Sequence, residues 1–447
     1  MREALVAIVG EPNVGKSTLL NRIISQRAAL TSNVAGTTRD RFYAPASWNG
    51  IDFTLVDTAG IILEQRDELE KNVQKQVEIA ISEADLILFV ADGKNPPQSL
   101  NRSILQKLRK QKKETILVVN KIDSPKKINE TEGEYKFTGF KNIFAVSAVS
   151  GLNTGDLLDA ISGALKKQGF GKTEKIPGQT SVAIIGKPNV GKSSLLNKIL
   201  GEERVVVSDM PGTTRNVIDT DIEYKGKKFR LLDTAGIKKK EKKAPLPDIY
   251  AAFQSMRAIQ RSDICILVID TKAGITQQDQ HVAGMAVEAG KGLIVAANKV
   301  DLLDPKTRRH ISENLGGYFP FLWWAPAVPV SAKTGSGVSE ILEYASQIED
   351  NRKKSVDNQV LSEFFFAKLK QRQPQRIRDE RAPRVYSLSQ IDVDPPVFKM
   401  MVNKPSAISM QFRKFIQNAI IKELGFWGTP ILLKLETKKG NPKKNEI

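Results

Sequence analysis

The sequence predicts an α/β protein of two tandem domains, each a doubly wound and mostly parallel sheet, followed by a small α+β domain. Three observations predict it: a long internal repeat, apolar runs alternating with helical stretches, and a shift in composition over the last fifth of the chain. The length of 447 residues suits two to four domains at roughly 100–200 residues each. The expected boundaries are 1–167 and 180–350 for the two copies, 168–179 for a linker, 351–437 for the third domain and 438–447 for a basic disordered tail.

The repeat is read directly from the residues. Gly10-Glu11-Pro12-Asn13-Val14-Gly15-Lys16-Ser17-Thr18 recurs as Gly186-Lys187-Pro188-Asn189-Val190-Gly191-Lys192-Ser193-Ser194, 176 positions later. Gly36-Thr37-Thr38-Arg39 recurs as Gly212-Thr213-Thr214-Arg215, and Asp57-Thr58-Ala59-Gly60 as Asp233-Thr234-Ala235-Gly236, at the same spacing. Asn120-Lys121-Ile122-Asp123 recurs as Asn298-Lys299-Val300-Asp301 after 178 positions, and Ser147-Ala148 as Ser331-Ala332 after 184. A period this long marks a duplicated domain and not a solenoid.

Each copy is expected to begin with an apolar strand (5–9; 181–185) that leads into the Gly-rich loop and then a helix from Lys16 or Lys192. Buried parallel strands are predicted at 53–56, 86–91, 116–119 and 143–146, and at 229–232, 264–269, 293–297 and 327–330. Residues 168–179 hold three glycines and a proline, as a linker would. The third domain reads helix 356–370, strand 384–392, strand 397–403, helix 406–424, strand 430–436.

The motifs fall where a doubly wound sheet binds ligands, at the carboxyl ends of its strands. Gly10 and Gly15 allow a tight turn that faces backbone N–H groups to phosphate, Lys16 reaches the β- and γ-phosphates, and Ser17 offers its hydroxyl to Mg²⁺. The following helix aims its positive end at the same anion. Asp57 ends a strand where a carboxylate holds Mg²⁺ through water, and Gly60 can offer its N–H to the γ-phosphate. Asn120-Lys121-x-Asp123 selects the base: a carboxylate accepts from guanine N1–H and the 2-amino group, a donor pair that adenine lacks. Ser147-Ala148 supplies a backbone contact to the guanine oxygen, and Thr38 and Thr214 are candidate Mg²⁺ ligands in segments that order with GTP. The second copy repeats every role through Lys192, Ser193, Asp233, Gly236, Asn298, Lys299, Asp301, Ser331 and Ala332. Both copies are therefore expected to be P-loop GTPase domains that bind GTP and GDP with Mg²⁺.

Composition excludes several classes. Apolar residues make up 40%, no apolar run is long enough to span a bilayer, and the N-terminal residues are not expected to form a signal peptide. The single cysteine, Cys265, lies in an apolar run and is expected in the core; with two histidines it offers neither a disulfide framework nor a zinc site. A reducing cytoplasm is the expected location. Of the formal net charge of +18, residues 1–167 carry +3, residues 168–350 carry +4 and residues 351–447 carry +11, which points to a polyanionic partner.

Taken together, the two Gly-x-Pro-Asn-Val-Gly-Lys-Ser domains and the basic third unit resemble the Der (EngA-type) double-GTPase family of bacterial ribosome-assembly factors, over nearly the whole chain. The resemblance implies a KH-like third domain, a large-ribosomal-subunit or ribosomal RNA partner, and a chain that works as a monomer without an integral membrane segment. It also implies that these GTPases lack the water-orienting glutamine; Ile61 and Ile237 stand after each Asp-x-x-Gly. The resemblance further implies a K⁺ ion that assists, ligated in part by Asn13 and Asn189. Copy one departs from the usual pattern at Val34-Ala35, Asp40, Asn153 and Lys94-Asn95-Pro96-Pro97, none of them a nucleotide ligand.

Gly425-Phe426-Trp427-Gly428 matches an RNA-clamping Gly-x-x-Gly by letter, but it joins a helix to the last strand and reads as a helix cap and turn. Arg372, Arg376, Arg378, Arg381 and Arg384 are the preferred candidates for RNA phosphates, with a solvated face as the alternative. Lys238, Lys239 and Lys240, directly after the second Asp-x-x-Gly, would couple nucleotide state to RNA or a neighbouring domain, or form a solvated loop. The competing readings are a tRNA-modification GTPase, for which no residues remain to encode a catalytic domain, a nucleotide-dependent membrane-surface switch, which lacks an amphipathic helix or lipidated cysteine, and a non-hydrolysing scaffold, against which the intact lysines and serines stand.

Overall fold

A computed structural model describes residues 4–30, 43–57, 81–95, 102–110, 113–171, 178–207, 219–232, 248–369 and 383–437. The chain forms two compact units that divide between residues 175 and 176.

In the first unit six strands form one sheet: β1 (Ala4–Gly10), β2 (Tyr43–Trp48), β3 (Ile51–Asp57), β4 (Leu86–Asp92), β5 (Thr115–Asn120) and β6 (Asn142–Ala145), in the order β2-β3-β1-β4-β5-β6. All neighbours are parallel except β2 and β3. The central strands are buried along nearly their whole length, as strands covered on both faces must be. The helix Thr154–Lys167 buries Leu157, Leu158, Ile161, Ala164 and Leu165, one helical stripe, in the same core as β1 and β4.

The second unit repeats the plan with β7 (Gln179–Ile185), β8 (Val205–Val207), β9 (Thr220–Tyr224), β10 (Lys227–Leu231), β11 (Ile264–Asp270), β12 (Gly292–Asn298) and β13 (Ala327–Pro329). Their order is β13-β12-β11-β7-β10-β9-β8, with an antiparallel edge at β10-β9-β8. The expected strands are all present. The strands β2, β8 and β9 on the antiparallel sides of the sheets were not expected, because β2 and β9 mix polar with apolar residues and β8 is only three valines long; turns at Asn49-Gly50 and Lys225-Gly226, all four residues at positive φ, close the two hairpins.

The third domain belongs to the second unit. Its sheet has β14 (Val385–Asp392), β15 (Val397–Val402) and β16 (Leu432–Thr437) in that order, with β14 antiparallel and β16 parallel to β15. Both helices start later than expected. Asp357 caps Asn358–Phe364, which passes into a π-helical turn, and Ser409 caps Met410–Leu424 after a separate 3₁₀ turn at Pro405–Ala407. A side-chain oxygen that accepts from the first-turn N–H groups sets each start. Gly425 ends the second helix in the left-handed region, the predicted cap, and Gly428 N–H donates to the Trp324 carbonyl at 2.9 Å while its own carbonyl accepts from Leu293 at 2.9 Å. The Gly-x-x-Gly backbone is thus fastened to the second repeat.

Candidate nucleotide site in each repeat

The Gly-rich loop leaves β1 and enters the helix Lys16–Leu30 directly, and the second loop likewise joins β7 to Lys192–Leu200. Gly15 and Gly191 hold φ of +93° and +100°, and a Cβ on either would lie 2.3 or 2.2 Å from the side-chain nitrogen of Asn120 or Asn298. Only glycine fits there, for backbone and space together. Lys16 Nζ donates to the carbonyls of Gly10 (2.9 Å) and Glu11 (2.6 Å), and Lys192 Nζ to those of Gly186 (2.8 Å) and Lys187 (2.5 Å). Each ammonium is held inside its own loop. Burial lowers the Lys16 pKa from its usual value, opposed by the charges of Asp57 and Glu11.

At the end of β3, the fully buried Asp57 accepts from the Ser17 hydroxyl at 2.6 Å. Two oxygens that converge on one side of the phosphate loop suit a hard divalent cation such as Mg²⁺. Among the described residues no cluster of three or more His, Cys, Asp or Glu side chains could hold a metal.

Two side chains of each Asn-Lys-x-Asp motif tie it to the loop. Asn120 Nδ2 donates to Val14 O at 2.9 Å while its Oδ1 accepts from Ala148 N at 3.0 Å; Asn298 does the same with Val190 O (2.7 Å) and Ala332 N (2.9 Å). Both asparagines are 2% exposed, so nearly every polar contact they make is intramolecular. Lys121 and Lys299 sit at positive φ, and each ammonium bridges the carbonyl of Asn13 (2.8 Å) or Asn189 (3.1 Å) to a carboxylate, Asp92 or Asp270, at 2.6 Å. The Ser147 hydroxyl donates to Asp123 Oδ1 at 2.7 Å and orients that carboxylate. Asn153, one of the departures, takes φ of +58° where the second copy has Gly337 at +78°; asparagine tolerates that region better than most residues.

Asp92 and Asp270 were missed in the sequence. Each ends a strand 28 positions before the motif asparagine, a constant offset that the repeat displays. Burial raises their carboxyl pKa, but the lysine partner and nearby backbone N–H groups outweigh it and hold both below the usual carboxylate value. Arg22, also missed, donates to the carbonyls of Ala148 (2.9 Å) and Val149. The copies differ at one loop position. Lys187 pairs with the buried Asp279 at 2.8 Å, whereas its counterpart Glu11 is an exposed acid.

The structure brings together Gly10, Asn13, Lys16, Ser17, Asp57, Asn120, Lys121, Asp123, Ser147 and Ala148 in one unit, and Gly186, Asn189, Lys192, Asn298, Lys299 and Ala332 in the other. Thr38, Thr58, Ala59, Gly60, Thr214, Asp233, Thr234, Ala235, Gly236, Lys238, Lys239, Lys240, Arg372, Arg376, Arg378 and Arg381 lie outside the described residues. Arg384 is exposed, and its backbone pairs with Asn403 at the start of β14.

Comparison with known proteins finds GTPase domains over both repeats and a KH-like match over the third domain. A family model described as a 50S ribosome-binding GTPase matches residues 5–121 and again 181–299, and one described as the KH-domain-like C-terminal part of EngA bacterial GTPase enzymes matches 356–436. A protein of Halothermothrix orenii named GTPase Der is 40% identical over 98% of this chain and 100% of its own, and one of Fusobacterium nucleatum with the same name is 39% identical over 98% and 99%. A solved structure of a probable GTP-binding protein engB is 24% identical over 37% of this chain and 99% of its own, with a TM-score of 0.27.

Proposed function

The chain belongs to the Der family of double GTPases, binding and hydrolysing GTP through two G domains, and from that premise we propose that it acts as an assembly factor for the large ribosomal subunit. The observation that carries the proposal is that both halves match a family of 50S ribosome-binding GTPases and are followed by a KH-like domain. The segment from residue 351 onward, at +11, supplies the charge such a partner requires. No helix among the described residues is long and apolar enough to cross a membrane. We place the protein in the cytoplasm, as a monomer.

In each G domain the loop N–H groups and Lys16 or Lys192 bind the β- and γ-phosphates, and Asp123 or Asp301 reads guanine. Ser17 and Asp57 would hold Mg²⁺, joined by Thr38; Ser193, Asp233 and Thr214 serve the second site. The ion, when bound, neutralises phosphate charge. Ile61 and Ile237 cannot position water by hydrogen bonding. The side chains of Asn13 and Asn189 are exposed at left-handed turns beside the loop, and they fit a role as K⁺ ligands. GTP would order the Thr38 and Thr214 segments, hydrolysis would relax them, and the lysines 238–240 and the arginines 372–384 would transmit or sense the change at RNA.

The test is sedimentation of the purified protein with ribosomal subunits in GDP, GTP and a non-hydrolysable GTP analogue. Co-sedimentation with the large subunit only with the analogue is expected. Equal binding in all three, or none in any, sinks the assembly-switch proposal.

A further inference from the structure

A cavity of about 540 Å³ opens where the third domain meets the second G domain, within one compact unit. Trp323, Trp427, Tyr344, Gln347 and Asn351 line it. Trp323 and Trp427 are 38% and 47% exposed, and their rings meet edge to face at 5.5 Å and 83°. An edge-to-face pair covers one ring face only, so large π surfaces stay open.

The platform is rigid. Besides the two backbone bonds of Gly428, the Trp427 carbonyl accepts from Asn351 Nδ2 at 2.8 Å, and Phe426 is fully buried against Phe398. The loop presents Trp427 to solvent while its backbone on either side is hydrogen-bonded, an arrangement that lowers the entropic cost of binding. Trp323 Nε1 donates to Asn418 Oδ1 at 3.3 Å, on the helix Met410–Leu424. Lys414, Asn418 and Lys422 recur every four residues and are all exposed, so they form one face of that helix with a lysine one turn to either side of the tryptophan contact.

We propose that this seam binds single-stranded RNA, an unstacked base lying against Trp427 and Trp323 with flanking phosphates on Lys414 and Lys422. The proposal rests on the ribosomal reading above. Aromatic faces stack any base, the amides of Gln347 and Asn351 offer donors and acceptors to a base edge, and lysines beside the platform track the backbone. The third domain and tail, residues 351–447, carry a net +11 against the Asp350 carboxylate in the lining, which favours RNA over a protein ligand. The Gly-x-x-Gly loop thus contributes its tryptophan, since its backbone is already engaged.

Anisotropy of a fluorescein-labelled octauridylate, titrated with the full-length protein, tests this. Trp427→Ala and Trp323→Ala should each weaken binding about tenfold, and Trp427→Phe should keep most of the affinity. Lys414→Ala with Lys422→Ala should flatten the slope of log affinity against log salt by about 1.4. GTPase rates of all variants should equal wild type, which also verifies folding. Unchanged RNA affinity in both tryptophan variants, equal affinity of wild type for a duplex of the same length, or binding of a proline-rich peptide in place of RNA overturns the site. Sedimentation with large subunits run alongside separates the two failures. Wild type that co-sediments while the tryptophan variants retain RNA affinity refutes the site and leaves the ribosomal reading standing. Wild type that fails to co-sediment removes the ribosomal reading, and the RNA titration alone then decides the site.

Discussion

Replacing Asn298 with alanine removes a buried side chain that joins the phosphate loop to the Ser331-Ala332 turn. Two buried groups, the Val190 carbonyl and the Ala332 amide, then lose partners at 2.7 and 2.9 Å. An orphaned buried group costs about 1–3 kcal/mol. With partial relaxation of the two loops, about 3 kcal/mol is expected for the pair. Because nucleotide needs both loops in register, most of this should appear in binding, as a loss of roughly 100-fold at about 1.4 kcal/mol per decade. The assay is fluorescence titration with N-methylanthraniloyl-GDP in a Lys16→Ala background, so that only the second site reports. Asn298→Asp should bind more weakly still, because it sets a carboxylate against the Val190 carbonyl while sparing the acceptor for Ala332. Affinity within twofold of the parent for Asn298→Ala, with unchanged melting temperature, would refute the reasoning that this asparagine braces the site.

Asp270→Asn should loosen Lys299 and weaken second-site nucleotide binding by about two- to fivefold, the worth of one part-exposed ion pair; no change would show that Lys299 is placed by its backbone alone. Since the folded pKa of Asp270 is depressed, the pair contributes above the ordinary carboxylate value of 3.8 and is lost as pH falls through the lower folded pKa, so the difference between Asp270→Asn and its parent should be constant from pH 6 to 8. Arg352, 2% exposed, donates to Asp394 at 2.9 Å and to the Gly290 carbonyl at 2.8 Å, joining the third domain to the second repeat; Arg352→Ala should cost about 3–5 kcal/mol in the denaturant unfolding of that unit, and a loss under 1 kcal/mol would deny it that role. Burial pushes the Cys265 thiol up to about 11, so native protein at pH 8 should resist iodoacetamide and react only on unfolding, which mass spectrometry of the labelled chain reads.

Much of this protein was determined by sequence alone. The phosphate loops, Asp57 and the Asn-Lys-x-Asp motifs are short segments whose chemistry depends on residue type and order, and the buried strands announce themselves as apolar runs because both faces are covered. Cys265, read as a core residue, is fully buried. Tertiary structure decided what depends on partners far along the chain. Asp92 holds Lys121, and Asp270 holds Lys299, only because parallel pairing sets Asp92 opposite Asn120 and Asp270 opposite Asn298; a register is a property of two strands, and neither strand encodes it. The strands β2, β8 and β9 stayed hidden because β2 and β9 mix polar with apolar residues and β8 is only three valines long. Trp323 and Trp427 lie more than a hundred positions apart in the chain, and nothing local to either signals that their rings meet. Short-range chemistry is written in order along the backbone, whereas these contacts arise only when folding buries the surfaces between them.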